Sequence, residues 1–214
     1  MKIAIFGTGG HGRSVMENII SHGKGPQLVF LDDDKPIGEK VNGVPVVGNR
    51  SELFNRDFLQ EYSVIIGVGD CKLRGELSRG VLSVGGTLAQ AFHATAWISN
   101  NGTKIGTGTV VMPFAIIGPN VTIGKYCIIN NRATVAHDSI VEDGVNVSDG
   151  ASFRTHVGKE AWVGLHVSVI PGTPIGARAI VGAGSVVTKA VEPDTTVAGV
   201  PARLIKRSGT HHVD

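Results

Sequence analysis

His137 is followed directly by Asp138. An imidazole beside a carboxylate is suited to general-base work: the acid orients the ring and stabilises the imidazolium formed when a proton is taken up. The same pair also occurs as a plain surface feature, so its meaning depends on what surrounds it. A second candidate lies near the N-terminus, where Gly7, Gly9 and Gly12 are spaced G-x-G-x-x-G and Asp32 follows Gly12 by 20 residues. Glycines at this spacing let a ligand approach bare backbone, and the amides of a following helix favour anions. His11, inside the loop, is placed to hydrogen-bond a phosphate or a sugar. Asp32 and Asp33 are placed to accept hydrogen bonds from a base or ribose.

The remaining histidines offer less. His211 and His212 lie in a polar tail, His22 near a helix end and His93 in a connecting segment. His156 falls at a break in the repeat described below and reads as a turn residue, while His166 has no acid neighbour. No Ser-His-Asp elbow and no metal-ligand spacing is present, so no metal is expected. Cys71 and Cys127 suggest neither a disulfide framework nor a metal cluster.

The elements that must position these residues are of two kinds. In the second half, aliphatic residues recur every six positions: Ile105, Val111, Ile117, Ile123, Ile129, Val135, Val141 and Val147, continued by Phe153. After a break, Val157, Val163, Val169, Ile175, Val181 and Val187 form a second series, and many members of both are followed by Gly. Period six fits neither a helix at 3.6 nor a free strand at 2. It fits a parallel β-helix in which each hexad forms one flat side and the aliphatic residue points into the bore. The 30 glycines in 214 residues and the 5% aromatic content agree with tight corners and a narrow bore. Counting from Val135, His137 faces outward. The step from Phe153 to Val157 is four instead of six, a corner shortened by two residues, and Arg154, Thr155 and His156 receive no assigned role.

The first 90 residues read as a small parallel α/β domain: strands at 2–6, 28–31 and 64–68, a short one at 44–47, and helices at 13–21, 51–58 and 72–82. This is too short for the two mononucleotide halves of a hydride-transfer enzyme. The domains expected are 1–90, parallel α/β and suited to a nucleotide or nucleotide-sugar; 91–207, a parallel β-helix; and 208–214, a flexible tail. The segment 85–101 carries the chain into the repeats. A net charge of +2 gives no nucleic-acid footprint, the N-terminal apolar run is too short for a signal peptide, and no stretch spans a membrane. A soluble cytoplasmic protein is the default expectation.

With these residues assembled, the chain resembles the hexapeptide-repeat acyltransferases of the sialic-acid O-acetyltransferase and bacillosamine-pathway acetyltransferase group. The resemblance covers nearly the whole chain and rests on IAIFGTGGHGRSV, VFLDDD, NNRATVAHDSIVEDGVNVSDGA, WVGLHVSVIPG and VEPDTTVAGVPARLI. It implies a Rossmann-like domain joined to a left-handed β-helix, acting as a homotrimer on acetyl-CoA with active sites between subunits. It implies that His137 is the general base, oriented by Asp138, and that Asn130 helps hold the sugar. It carries nucleotide-sugar contacts over to Gly9, Gly10, His11, Asp32, Asp33, Gly69 and Lys72, and acetyl-CoA contacts to Asn146, Leu165 and Ala183. Lys206 and Arg207 are suggested for the CoA phosphates on charge alone. Asn146 departs from the His that some members carry, yet an amide still donates to a thioester carbonyl. The activity implied is N-acetylation of a UDP- or GDP-linked 4-amino-4,6-dideoxy sugar. The alternatives are O-acetylation of a sugar such as sialic acid and a non-enzymatic scaffold.

Overall fold

A computed structural model describes residues 2–23 and 25–207. The polar tail, with His211 and His212, lies outside the described residues. β1 (Lys2–Phe6) is the β-branched run of the N-terminus and pairs in parallel with β2 (Gln27–Leu31) and β5 (Ser63–Ile66). β2 also pairs with β4 (Val44–Gly48), which closes a hairpin with β3 (Lys40–Val41), giving the order β3-β4-β2-β1-β5. That hairpin turns on Asn42-Gly43, both at positive φ (49° and 83°), as a two-residue I′ connection requires.

Helix α1 (Gly10–Ile20) begins three residues earlier than its sequence pattern suggests, because Gly9 takes the cap position and the glycine loop itself supplies the first turn. The helix expected over 51–58 is divided. A 3₁₀ turn (Arg50–Phe54) ends at Asn55, whose Oδ1 accepts from the amides of Asp57 (3.1 Å) and Phe58 (3.4 Å) and starts a new helix, α2 (Arg56–Glu61). Helix α3 (Cys71–Ser83) is capped by Asp70, whose carboxylate accepts from the Leu73 amide at 2.7 Å.

From Ala91 the chain winds as a left-handed parallel β-helix of three sides. Side one carries inward Phe92, Val111, Ile129, Val147, Val163, Val181 and Val197. Side two carries Ile98, Ile117, Val135, Phe153, Val169 and Val187. Side three carries Ile105, Ile123, Val141, Val157, Ile175 and Val191. The members from Val111 to Val197 are at most 8% exposed and form one core, with Phe92, Ile98 and Ile105 packed against it. The first coil thus begins inside the segment expected to be a connection; its rhythm is hidden because Ile98 to Ile105 is a step of seven. A second step of four runs from Val187 to Val191. Every step that departs from six crosses the same edge, between sides two and three. A last strand, Arg203–Arg207, folds back antiparallel on Thr195–Ala198 at the bottom of side one.

The α/β domain sits on the upper part of side one. Ala91, Val110, Met112 and Ile128 share a core with Ile3, Ile5, Val15, Met16 and Ile19. Asn18, 1% exposed on α1, donates to the carbonyls of Ala91 (2.9 Å) and Val111 (3.0 Å) and satisfies two acceptors of the coil. Below this contact the outward ladder of side one continues Asn146, Trp162, Ile180, and the last two are exposed.

Candidate functional site

In the glycine loop two kinds of glycine can be told apart. A Cβ at Gly12 would lie 1.9 Å from the Gly7 carbonyl oxygen, so the close approach of α1 to β1 demands glycine there. A Cβ at Gly9, Gly10 or Gly69 would meet nothing within 4 Å. The fold does not require those three to be bare, whereas close approach of a ligand does. The α1 amides have no side-chain cap, which leaves the anion-favouring end of the helix open to the same space.

The acidic residues are more occupied than the spacing suggests. Asp32 Oδ2 accepts from the Thr8 amide and hydroxyl, both at 2.7 Å, and Oδ1 accepts from the Asp34 amide at 3.0 Å. Burial opposes its ionisation, but the Thr8 and Asp34 hydrogen bonds outweigh that and hold the carboxyl below its ordinary value. Asp33 accepts from the Arg50 amide and pairs with its guanidinium, both at 2.9 Å. Both residues therefore order the loops around the glycines, with lone pairs to spare for a ligand. His11 has an enclosed, unpartnered Nε2; burial, then the nearby Arg74 charge, lower its pKa to about 4. At neutral pH it offers a neutral ring.

The β5–α3 loop brings the α/β domain against the coil. Arg74, 1% exposed, donates to the carbonyls of Val68 (3.0 Å) and Gly69 (2.8 Å) in that loop, and to Tyr126 (2.8 Å) and Gly144 (2.7 Å) in the coil. The Gly69 carbonyl also accepts from Asn146 Nδ2 at 3.4 Å, and Asn146 Oδ1 accepts from Asn130 Nδ2 at 3.0 Å. Sugar-side and cofactor-side candidates thus form one chain of contacts. A groove of about 370 Å³ collects Asn130, Asn146, Leu165 and Ala183, floored by Trp162 and Ile180. The same two floor residues continue into a hollow of about 270 Å³ under the start of α3, lined by Lys72 and Arg178. Trp162 and Ile180 were not singled out in the sequence, although their register with Asn146 on one ladder is the signal that finds them. Lys206 lies on the last strand, exposed at the far end of the coil, and Arg207 beside it lines a separate hollow with Lys189 and Arg203.

His137 stands elsewhere, on the edge between sides two and three. A Cβ on Gly118, one coil above, would lie 2.7 Å from the His137 amide nitrogen, so that glycine sets how closely the corner can stack. Asp138 follows at positive φ (60°), in the left-handed corner conformation that Asp tolerates. His137 Nδ1–H donates to Asp138 Oδ2 at 2.7 Å. The hydrogen bond from His137, helped by Asn120 and by the Arg154 charge, keeps the Asp138 carboxyl below its ordinary value. With Nδ1 engaged, Nε2 carries the free lone pair. Arg154 Nη1 points at it from 3.4 Å. Arg154 belongs to the shortened corner directly below, where the missing residues leave a recess of about 450 Å³ lined by His137, Ser152, Phe153, Val169 and Pro171. Sequence reasoning left Arg154 without a role and did not single out Asn120. Both depend on which corner stacks on which, and a linear repeat count does not show that. Among the described residues His137 bonds to Asp138 and Arg154 and to no member of the Asn130–Asn146 groove.

Three family descriptions match the chain: the PglD N-terminal domain over residues 2–81, the bacterial transferase hexapeptide (six repeats) over 102–137, and the hexapeptide repeat of succinyl-transferase over 154–189. The chain is 34% identical over 219 residues to the GDP-perosamine N-acetyltransferase of Escherichia coli O157:H7, covering 96% of this chain and 97% of that protein. Its fold matches the acetyltransferase domain of PglB from Neisseria gonorrhoeae FA1090, with a TM-score of 0.91 and 32% identity over 95% of this chain and 99% of that one. That domain has also been solved in complex with acetyl coenzyme A. PerB from Caulobacter crescentus, solved in complex with CoA and GDP-perosamine, matches with a TM-score of 0.88 and 33% identity, over 96% of this chain and 98% of that one.

Proposed function

The chain belongs to the PglD-like hexapeptide-repeat acetyltransferases, and we propose that it moves the acetyl group of acetyl-CoA onto the amine of a nucleotide-linked 4-amino-4,6-dideoxy sugar. The observation that carries the chemistry is the 2.7 Å hydrogen bond between His137 and Asp138, which leaves Nε2 as the base. The amine nitrogen attacks the thioester carbon while Nε2 takes its proton, and Asp138 stabilises the imidazolium. Collapse of the tetrahedral intermediate expels the CoA thiolate, which takes the proton back as thiol. The open glycines Gly9, Gly10 and Gly69, with His11, Lys72, Asp32 and Asp33, receive the nucleotide-sugar, and Asn130 steadies the sugar. CoA lies in the groove of Asn146, Leu165 and Ala183, with the apolar floor of Trp162 and Ile180 suited to its pantetheine arm.

His137 and this groove occupy different edges of one coil, so a complete site needs a second chain. A trimer that brings the His137 edge of one subunit against side one of the next would supply it. Exposed Trp97 and Ile116 on the upper part of side two, with Phe114 at the corner that leads into it, are suited to such an interface. The test is thiol release from acetyl-CoA over UDP-, dTDP- and GDP-amino sugars, with their hydroxyl counterparts as the O-acetylation arm. His137→Ala is expected to lose 10²- to 10⁴-fold in rate while keeping its melting temperature. A near-normal rate in that variant would sink the reading.

A further inference from the structure

We propose that Arg154 is a catalytic residue: its guanidinium donates to the oxygen of the thioester carbonyl as negative charge builds there during attack. The inference rests on the acetyl-transfer reading above. Val135 and Phe153 are successive rungs of one ladder, and Arg154 follows Phe153 one rung below the His137 corner, so its side chain rises about one strand spacing, roughly 4.8 Å, to reach His137. Its 3.4 Å contact with Nε2 is long and is readily exchanged when a substrate amine takes that lone pair.

The geometry of the reaction then fixes where the oxygen must be. An amine within roughly 3 Å of Nε2 places the carbonyl oxygen of the intermediate no more than about 5 Å from that nitrogen. A donor whose nitrogen stands 3.4 Å from Nε2 can meet such an oxygen at an ordinary charge-assisted distance, about 2.8 Å. The neighbouring recess, bounded by Phe153, Val169 and Pro171, has room for a carbonyl group and a methyl. Asn146, expected from sequence to donate to this oxygen together with backbone amides of the coil, lies on side one, where it hydrogen-bonds the Gly69 carbonyl of the β5–α3 loop. Arg154 carries a guanidinium charge and sits beside the base, whereas the neighbouring Asn120 is engaged by Asp138, so Arg154 supplies the charged donor at the His137 edge. When the carbonyl re-forms and the thiolate leaves, the oxygen charge disappears and the guanidinium is released to Nε2 once that nitrogen has given up its proton.

Arg154 is exposed, so its replacement should leave the coil intact. The experiment compares Arg154→Ala, Arg154→Lys and His137→Ala by steady-state kinetics with acetyl-CoA and an accepted nucleotide-amino sugar. Arg154→Ala is expected to lower kcat roughly 10²- to 10³-fold with both KM values within about threefold of the parent. Arg154→Lys should recover part of that loss, and guanidinium chloride below its denaturing concentration should restore turnover to Arg154→Ala but not to His137→Ala. A kcat within threefold of the parent in Arg154→Ala, or a loss carried mainly by KM, overturns the inference. If His137→Ala is inactive in that case, the acetyl-transfer reading survives; if His137→Ala is also active, that reading falls as well.

Discussion

Arg74 of helix α3 donates through Nη2 to the backbone carbonyl of Gly144 in the coil, at 2.7 Å. The same guanidinium holds the Val68 and Gly69 carbonyls, so a single buried cation fixes the loop that presents Gly69 and Lys72 to the rung that presents Asn146. Among the described residues its hydrogen-bond partners are four carbonyls and the Cys71 sulfur, with no carboxylate to share the charge. The planar, five-donor shape of the group makes this possible.

Arg74→Lys keeps the charge and loses the fork. Several buried carbonyls then lack donors, at a cost of roughly 2–4 kcal/mol. The melting temperature by calorimetry should fall by roughly 5–15 °C. An unchanged value would mean that the loop is held by other contacts.

The separation of His137 from the Asn130–Asn146 groove leads to a complementation test. His137→Ala and Asn146→Ala are each expected to be poorly active. Unfolded together and refolded as mixed oligomers, they should regain a fraction of the parent rate, because some interfaces pair an intact His137 edge with an intact groove. Mixtures no better than their components would place both halves of each site on one subunit.

The two classes of glycine should separate in experiment. Gly9→Ala and Gly10→Ala are expected to melt within about 2 °C of the parent and to bind the nucleotide-sugar at least tenfold more weakly by calorimetry. Gly12→Ala forces a Cβ to within 1.9 Å of the Gly7 carbonyl and should destabilise the α/β domain outright. Unimpaired binding in Gly9→Ala and Gly10→Ala would remove the ligand from that loop.

His11 makes stability depend on pH. Its folded pKa, about 4, lies below the 6.5 of an exposed ring. Between those values the unfolded chain binds a proton that the folded chain refuses, so stability falls as pH drops from 6.5 towards 4 and levels off below. The contribution is at most on the order of 3 kcal/mol. Urea midpoints across this range should decline less for His11→Gln than for the parent; parallel curves would show that His11 titrates normally.

Much of this molecule is legible in its sequence, for a physical reason. The bore is narrow and every side repeats the same inward contact, so Val135, Val141 and Val147 announce the coil and place His137 outside it. The α/β strands announce themselves through full burial, as at Ile3 to Phe6 and Val64 to Ile66. Contacts between elements are less visible. Asp32 looks like a ligand group, yet it is engaged by Thr8, which only the folded loop brings near. Arg154 carries no signal in its own hexad, because its relation to His137 runs along the stack and not along the chain. The hairpin of Lys40–Val41 with Val44–Gly48 is short and half exposed, and only Asn42-Gly43 marks it.

The uneven steps of the coil share one edge, and the inward residues on either side of that edge remain in register: Ile117, Val135 and Phe153 stack without offset, as do Ile123, Val141 and Val157. Residues can be added to or removed from this seam without moving a single bore contact. The scaffold therefore separates two demands that usually conflict. Its interior is held to a strict metre, while the border that bears His137 and Arg154 is free to change length and so to be refitted to a different acceptor at little cost to folding.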